Sequence, residues 1–159
     1  MRLRLEVNGV AHEAEVRCDE TLLDVLRRDV GLRSVRETCG IGVCGACTAI
    51  VDGELLSTCL VLAPLAEGRG VTTVEGLGAD DAVVRAFADA HAFQCGYCTP
   101  GMVLSARRLL EENPTPTRAE IALGLGGNLC RCGCYVKIVE AVEEAARLGP
   151  WWLEPEVAA

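Results

Sequence analysis

The chain has 159 residues, half of them hydrophobic, and its 23 acidic against 15 basic residues give a formal net charge of −8. This length is enough for one domain or two small ones with a real hydrophobic core. The basic residues are scattered and form no stripe that would match a phosphate backbone, which argues against a nucleic-acid-binding protein. No stretch approaches the roughly 18 apolar residues that a membrane helix requires, so no membrane span is expected.

Ten cysteines are the most unusual feature of the composition. They are compatible with either a disulfide framework or metal sites. Residues 2–7 alternate charged and apolar side chains like a strand, and they contain neither the apolar segment of an export signal nor a twin-arginine pair. The sequence therefore favours a cytoplasmic protein whose cysteines bind metal over one stapled by disulfides.

The first half of the chain is predicted to be rich in strands. Residues 2–7 form a half-buried strand, Asn8-Gly9 is a strong hairpin signal, and residues 10–16 supply the returning strand. A helix with a leucine- and valine-rich face is predicted over residues 19–31. Three further strands are predicted, over residues 48–51, 54–57 and 71–74.

The second half is predicted to be helical. Apolar residues recur at helical spacing in residues 80–93, 100–112, 117–125 and 135–148. Thr117 and Glu120 match a capping box at the start of the third of these helices. Strands followed by helices indicate an α+β chain of two domains, residues 1–77 and 78–150, with a tail over 151–159.

Four cysteines of the first half form a recognisable metal-binding pattern. Cys39, Cys44, Cys47 and Cys59 are separated by four, two and eleven residues, and glycine occupies three of the positions between the first three. This is the spacing of a plant-type [2Fe–2S] site, in which four thiolates hold two bridged irons. The glycines let the backbone pass close to a cluster and adopt positive φ. A glycine-rich turn with incidental cysteines would not require this spacing.

A second cysteine quartet lies in the helical half. Cys95 and Cys98 fall between the first two predicted helices, and Cys130 and Cys132 fall between the last two. Four helices can bring these pairs together at one end of a bundle. From the residues alone, either an iron–sulfur cluster or structural zinc fits four cysteines. His12 and His91 are too few and too separated to build a Rieske centre or a two-histidine zinc site here.

The two quartets occur in a fixed order with distinctive neighbours. The order is Cys39-x4-Cys44-x2-Cys47-x11-Cys59, then Gln94-Cys95-Gly96-Tyr97-Cys98-Thr99-Pro100-Gly101, then Gly127-Asn128-Leu129-Cys130-Arg131-Cys132. This order resembles the small iron–sulfur subunit of the molybdenum hydroxylases, the xanthine oxidase and aerobic carbon monoxide dehydrogenase family. The resemblance implies a β-grasp ferredoxin-like domain followed by a four-helix bundle, each holding one [2Fe–2S] cluster.

The resemblance also implies roles for individual residues. The first quartet (Cys39, Cys44, Cys47, Cys59) would bind an outer cluster near a flavin, and the second (Cys95, Cys98, Cys130, Cys132) an inner cluster beside a molybdopterin. Gln94 and Cys132 match the residues that contact the pterin, although the sequence alone also allows Gln94 to cap a helix end.

Relatives commonly have threonine where this chain has Gly133 and glycine at the position of Cys134. Cys134 is interpreted as a packed thiol at a helix start, and Cys18 as a small buried hydrophobe.

The function implied by the resemblance is electron relay. Electrons would pass from a molybdopterin, expected as the cytosine dinucleotide on a large partner subunit, through both clusters to FAD on a medium subunit or to an external acceptor. No residue of this chain is expected to be catalytic, and the assembly is expected to be a heterotrimer or a dimer of heterotrimers. The alternatives are a free-standing two-cluster carrier and a zinc-stabilised binding module. The sequence does not indicate the substrate, and it leaves Trp151-Trp152 open between packing and partner docking.

Overall fold

The computed structural model describes residues 1–149. The strands are β1 (Arg2–Val7), β2 (Val10–Glu15), β3 (Thr48–Val51), β4 (Glu54–Ser57) and β5 (Gly70–Thr72). The α-helices are α1 (Leu22–Arg28), α2 (Ala82–Asp89), α3 (Thr99–Glu112), α4 (Arg118–Gly124) and α5 (Tyr135–Leu148). The fold is therefore a mixed one, with a five-stranded sheet in the first half and four of its helices in the second. The predicted tail with Trp151-Trp152 lies outside the described residues.

The five strands form one sheet in the order β2-β1-β5-β3-β4. Strands β1 and β2 are an antiparallel hairpin whose turn residues Asn8 and Gly9 have φ of 52° and 79°, as a two-residue hairpin turn requires. Strand β5 lies parallel to β1 and antiparallel to β3, which joins the two hairpins of the sheet. The predicted strand over 71–74 is shorter, because Val74–Gly76 turns into a 3₁₀ helix and Val74 packs against the helical half.

Helix α1 packs its leucine and valine face into the core beneath the sheet. It begins with a capping box in which the Thr21 hydroxyl accepts from the Asp24 N–H (3.2 Å) and the Asp24 carboxylate accepts from the Thr21 N–H (3.0 Å). The helix ends at Arg28, three residues before the predicted stop at Gly31. Arg27 and Arg28 in its last turn complement the helix dipole.

The helices α2 to α5 enclose a second core, built from buried side chains of all four. Asp81 caps α2 by accepting from the N–H groups of Val83 (3.0 Å) and Val84 (3.2 Å), and its carboxylate also pairs with Arg107 of α3. Helix α2 ends at Asp89, earlier than predicted, because His91 adopts a positive φ of 51°. The predicted Thr117 capping box and the bounds of α5 are confirmed.

One prediction about a cysteine is wrong. Cys18 is exposed rather than buried. It lies in the turn between β2 and α1, where the neighbouring Arg17 and Asp19 form an exposed ion pair (2.6 Å) and hold this turn at the surface. In the described part of the chain, no helix combines the length and apolar character needed to cross a membrane.

Candidate metal centres

The first cysteine loop connects α1 to β3 and wraps closely round its own cysteines. Its backbone requires glycine at two crowded places. A Cβ on Gly42 (φ 76°) would lie 2.3 Å from Leu60 Cδ1, and a Cβ on Gly45 (φ 67°) would lie 2.5 Å from the Gly127 carbonyl oxygen. Positive φ disfavours larger residues at both positions. At Gly45 the neighbouring backbone also leaves no space, whereas at Gly42 the obstacle is the end of the exposed Leu60 side chain, which can move. The loop is therefore closely packed at Gly45, and the approach of its backbone to a cluster stays a prediction.

The structure brings the first quartet together as two pairs of thiols. The N–H of Ile41 lowers the pKa of Cys39 to about 6, helped by a hydrogen bond from the Cys44 thiol. Burial raises the pKa of Cys59 to about 11, and its hydrogen bond to Cys47 adds to this effect. Because backbone N–H groups stabilise a thiolate at Cys39, the loop favours the form of the sulfur that binds metal.

The second quartet is also assembled as two pairs. Cys95 lies beside Cys132, and the N–H of Tyr97 followed by the Cys132 thiol lowers the pKa of Cys95. Cys98, the residue before α3, lies beside Cys130, and burial followed by the hydrogen bond with Cys130 raises its pKa to about 12. The turns before α3 and α5 thus meet, although Cys95 and Cys130 are 35 positions apart in the chain.

Cys134 is buried at the start of α5, which confirms the interpretation of a packed thiol. Its backbone N–H donates to Cys130 Sγ at 3.4 Å. Burial acts to raise the pKa of Cys130, yet the Cys134 N–H and the Cys98 thiol hold it below its ordinary value. Burial and the contact with Cys130 raise the pKa of Cys134 itself. The backbone N–H of Cys134 therefore stabilises negative charge on the Cys130 sulfur.

The donor sets suit an iron–sulfur cluster. Each quartet offers four sulfurs, and the sulfurs meet as pairs. A two-iron cluster takes two thiolates on each iron, with sulfides completing the coordination. Among residues 1–149, no three histidine, cysteine or acidic side chains surround a point where a single metal ion could sit.

The proposed pterin contacts lie at the surface of the inner quartet. Gln94 and Cys95 are exposed, and Cys132 is half-buried beside Cys95. Gln94 caps neither neighbouring helix, because α2 ends at Asp89 and Cys98 holds the capping position of α3. One edge of the inner site is therefore accessible from outside the chain.

A cavity of about 430 Å³ lies against the second quartet, because Cys95, Cys98 and Cys130 line it, and Cys44 is the one cysteine of the first quartet in its wall. Next to this cavity, hydrogen bonds join the first cysteine loop to the segment that leads into Cys130. The Leu129 N–H donates to the Cys44 carbonyl (2.9 Å), and the Asn128 amide donates to the Gly45 carbonyl (3.1 Å). The outer and inner sites are thus fixed to each other directly.

A second contact joins the halves beside the inner quartet. The Arg36 guanidinium donates to the Gly96 carbonyl (2.6 Å) and lies 4.8 Å from the centre of the Tyr97 ring. The Tyr97 hydroxyl donates to the Glu37 carbonyl (2.9 Å). No role for Arg36, Tyr97 or Asn128 could be predicted from the sequence, although Tyr97 and Asn128 stand inside the cysteine motifs. These contacts join residues 60 or 83 positions apart, and no local pattern links them.

Comparison with known families matches both halves of the chain. Residues 5–73 match the model described as "2Fe-2S iron-sulfur cluster binding domain", and residues 73–143 match the model described as "[2Fe-2S] binding domain". The chain therefore has two domains of the kind that bind [2Fe–2S] clusters.

Individual relatives match along most of their length. The chain is 46% identical to the nicotinate dehydrogenase small FeS subunit of Eubacterium barkeri, over 90% of this chain and 93% of that one. It is 47% identical to the nicotine 6-hydroxylase small subunit of Paenarthrobacter nicotinovorans, over 91% and 89%. The crystal structure of quinoline 2-oxidoreductase from Pseudomonas putida 86 contains a chain that is 43% identical, with 94% and 97% coverage and a TM-score of 0.87. The chain belongs to the small [2Fe–2S] subunits of the molybdenum hydroxylase family, which transfer electrons within multi-subunit oxidoreductases.

Proposed function

We propose that this chain relays electrons from a molybdopterin on a large partner subunit to FAD on a medium subunit or to an external acceptor. The inner cluster would be held by Cys95, Cys98, Cys130 and Cys132, and the outer one by Cys39, Cys44, Cys47 and Cys59. The observation that carries the proposal is the arrangement of both quartets as thiol pairs, with Cys44 of the first quartet lining the same cavity as Cys95, Cys98 and Cys130 of the second. Each cluster, when bound, supplies reversible one-electron chemistry.

The residues of this chain hold and tune the two sites. The N–H groups of Ile41 and Tyr97 stabilise negative charge on Cys39 and Cys95, and such donors to cluster sulfurs raise a reduction potential. Burial of Cys47, which is 2% exposed, keeps water from that side of the outer site. These effects set the potentials without any catalytic residue in the chain.

The accessible edge of the inner site supports a docking role for Gln94. An exposed amide next to an exposed ligand cysteine is placed to reach a cofactor on another subunit, and Cys132 lies beside the same ligand. We assign the pterin contacts to Gln94 and Cys132 on this basis. The pterin is expected as the cytosine dinucleotide, and the complex as a cytoplasmic heterotrimer or a dimer of heterotrimers.

The domain division completes the proposal. Residues 1–77 would form a β-grasp ferredoxin-like domain and residues 78–150 a four-helix bundle. Two separate hydrophobic cores support this division, one below the sheet and one among α2 to α5. The 3₁₀ helix Val74–Gly76 links them, since Val74 packs against the helical core.

Co-purification separates this function from that of a free-standing carrier. We expect an affinity-tagged chain, produced in its own cells, to bring down a large subunit together with molybdenum and pterin. Gln94→Lys should reduce the yield of that complex while both clusters remain bound. Asn113→Lys, which changes an amide at the far end of α3, should leave the yield unchanged. Recovery of the tagged chain alone, with both clusters present, would instead establish the free-standing carrier.

A further inference from the structure

Asn128 occupies an unusual position between the two proposed cluster sites. Its side chain is 4% exposed, and both ends of its amide are engaged. The Nδ2 group donates to the Gly45 carbonyl (3.1 Å), and the Oδ1 atom accepts from the buried Ser105 hydroxyl of α3 (2.8 Å). A buried amide satisfied at both ends is held in one orientation, because turning it would leave a buried polar group without a hydrogen-bond partner.

The backbone around Asn128 is packed too closely for any residue but glycine. A Cβ on Gly45 would lie 2.4 Å from Asn128 Nδ2. A Cβ on Gly101, in the first turn of α3, would lie 2.2 Å from the Gly45 carbonyl oxygen. The outer loop therefore rests directly on the start of α3, with Asn128 as the hydrogen-bonded bridge between them.

This contact lies next to one proposed ligand of each cluster. Gly45 directly follows Cys44, and Asn128 precedes Cys130 by two residues. Between them, the Leu129 N–H donates to the Cys44 carbonyl (2.9 Å). A shift of the Asn128 contact would therefore move the Cys44 and Cys130 sulfurs relative to each other.

We propose that Asn128, together with Gly45, Gly101 and Ser105, forms a latch that sets the separation of the two clusters. Asn128 is then a positioning residue for electron transfer between them. The inference rests on the proposed function, because it takes the two quartets as the cluster ligands. It names a residue that would control the rate of electron transfer between the two clusters.

The test compares the magnetic interaction of the two reduced clusters in the intact holoprotein. Asn128→Asp keeps the size of the side chain but replaces the donor to Gly45 with a carboxylate oxygen, which repels the carbonyl. In low-temperature EPR, each reduced cluster splits the lines of the other by magnetic coupling. We expect this splitting to weaken, while each signal keeps its own g values. Asn113→Asp makes the same chemical change away from the latch, at the residue after α3, and should leave the splitting unchanged.

A milder variant keeps the proposal testable if Asn128→Asp does not fold. Ser105→Ala removes only the hydroxyl that orients the Asn128 amide, and it should weaken the same splitting to a smaller extent with iron content unchanged. In the assembled complex, Asn128→Asp should slow reduction of the outer cluster while reduction of the inner cluster keeps its wild-type rate. Folded variants that keep both clusters and show the wild-type splitting would overturn the latch. A wild-type chain without two clusters would instead overturn the proposed function.

Discussion

Cys130→Ser is expected to abolish the inner cluster, whereas Cys134→Ser is expected to keep it. In the structure, Cys130 lies beside Cys98, and the Cys134 N–H donates to the Cys130 sulfur. The surrounding groups therefore stabilise negative charge on the Cys130 sulfur, as a metal ligand requires. Cys134 lies behind it, buried at the start of α5. Because a serine oxygen is a poor substitute for a thiolate, iron content should fall from about four to about two per chain in Cys130→Ser.

Low-temperature EPR of the dithionite-reduced protein checks this result. The Cys130→Ser spectrum should retain only the outer cluster signal, and the Cys134→Ser spectrum should retain both. Cys18→Ser is the matched control, because Cys18 is exposed and belongs to neither quartet. Loss of the inner signal in Cys134→Ser, with its retention in Cys130→Ser, would show that the ligand register is wrong.

Gly45→Ala is expected to destabilise the protein far more than Gly9→Ala. Both glycines have positive φ, 67° and 79°, so either substitution costs about 1–2 kcal/mol of backbone strain. The Gly9 Cβ would meet no atom within 4 Å, whereas the Gly45 Cβ would lie 2.5 Å from the Gly127 carbonyl oxygen. Overpacking against backbone adds roughly 1–3 kcal/mol and must displace the outer loop from Asn128.

Thermal unfolding followed by circular dichroism, with cluster absorbance recorded in parallel, measures the difference. Gly9→Ala should lower the unfolding midpoint by a few degrees and keep both clusters. Gly45→Ala should lower it roughly twice as much and release the outer cluster first. Equal midpoints for the two variants would mean that the close contact between Gly45 and the helical half does not exist in solution.

Local signals in the sequence account for most of the secondary structure. Asn8-Gly9 predicted the first hairpin, and the Thr117 capping box predicted the start of α4, because both signals act through neighbouring residues. The apolar spacing of residues 135–148 gave the bounds of α5 without error. These elements form wherever their own residues lie, so the chain alone was enough to predict them.

Predictions that depended on the tertiary environment were less accurate. Cys18 was expected to be buried from its residue type, yet its place in a charged turn exposes it. The strand predicted to reach Val74 stops at Thr72, because Val74 belongs to the second core. Helix α2 stops early at the turn that leads into Cys95. Packing against a distant segment explains the shortened strand, whereas the Arg17–Asp19 ion pair and the positive φ of His91 act at Cys18 and at the end of α2.

The candidate sites also combine features that follow from local sequence with features that only the folded chain shows. Cysteine spacing predicted the first quartet, since its first three ligands lie in one loop, whereas the second quartet was predicted from the helix order and the family resemblance. The latch at Asn128 and the Arg36 contact with Gly96 and Tyr97 escaped prediction, because they join residues 83 and 60 positions apart. Neither contact carries a periodic pattern, and only the folded chain shows it. The pterin contact of Gln94 stays a prediction for the assembled complex.

Metal and sulfide analysis of the purified holoprotein, combined with low-temperature EPR, tests the two-cluster relay most directly. We expect about four irons and about four acid-labile sulfides per chain, with two distinct [2Fe–2S] signals after reduction. These values follow from two cysteine quartets that each meet as thiol pairs. Zinc in one quartet, with about two irons and a single signal, would contradict the relay and leave a metal-stabilised module in its place.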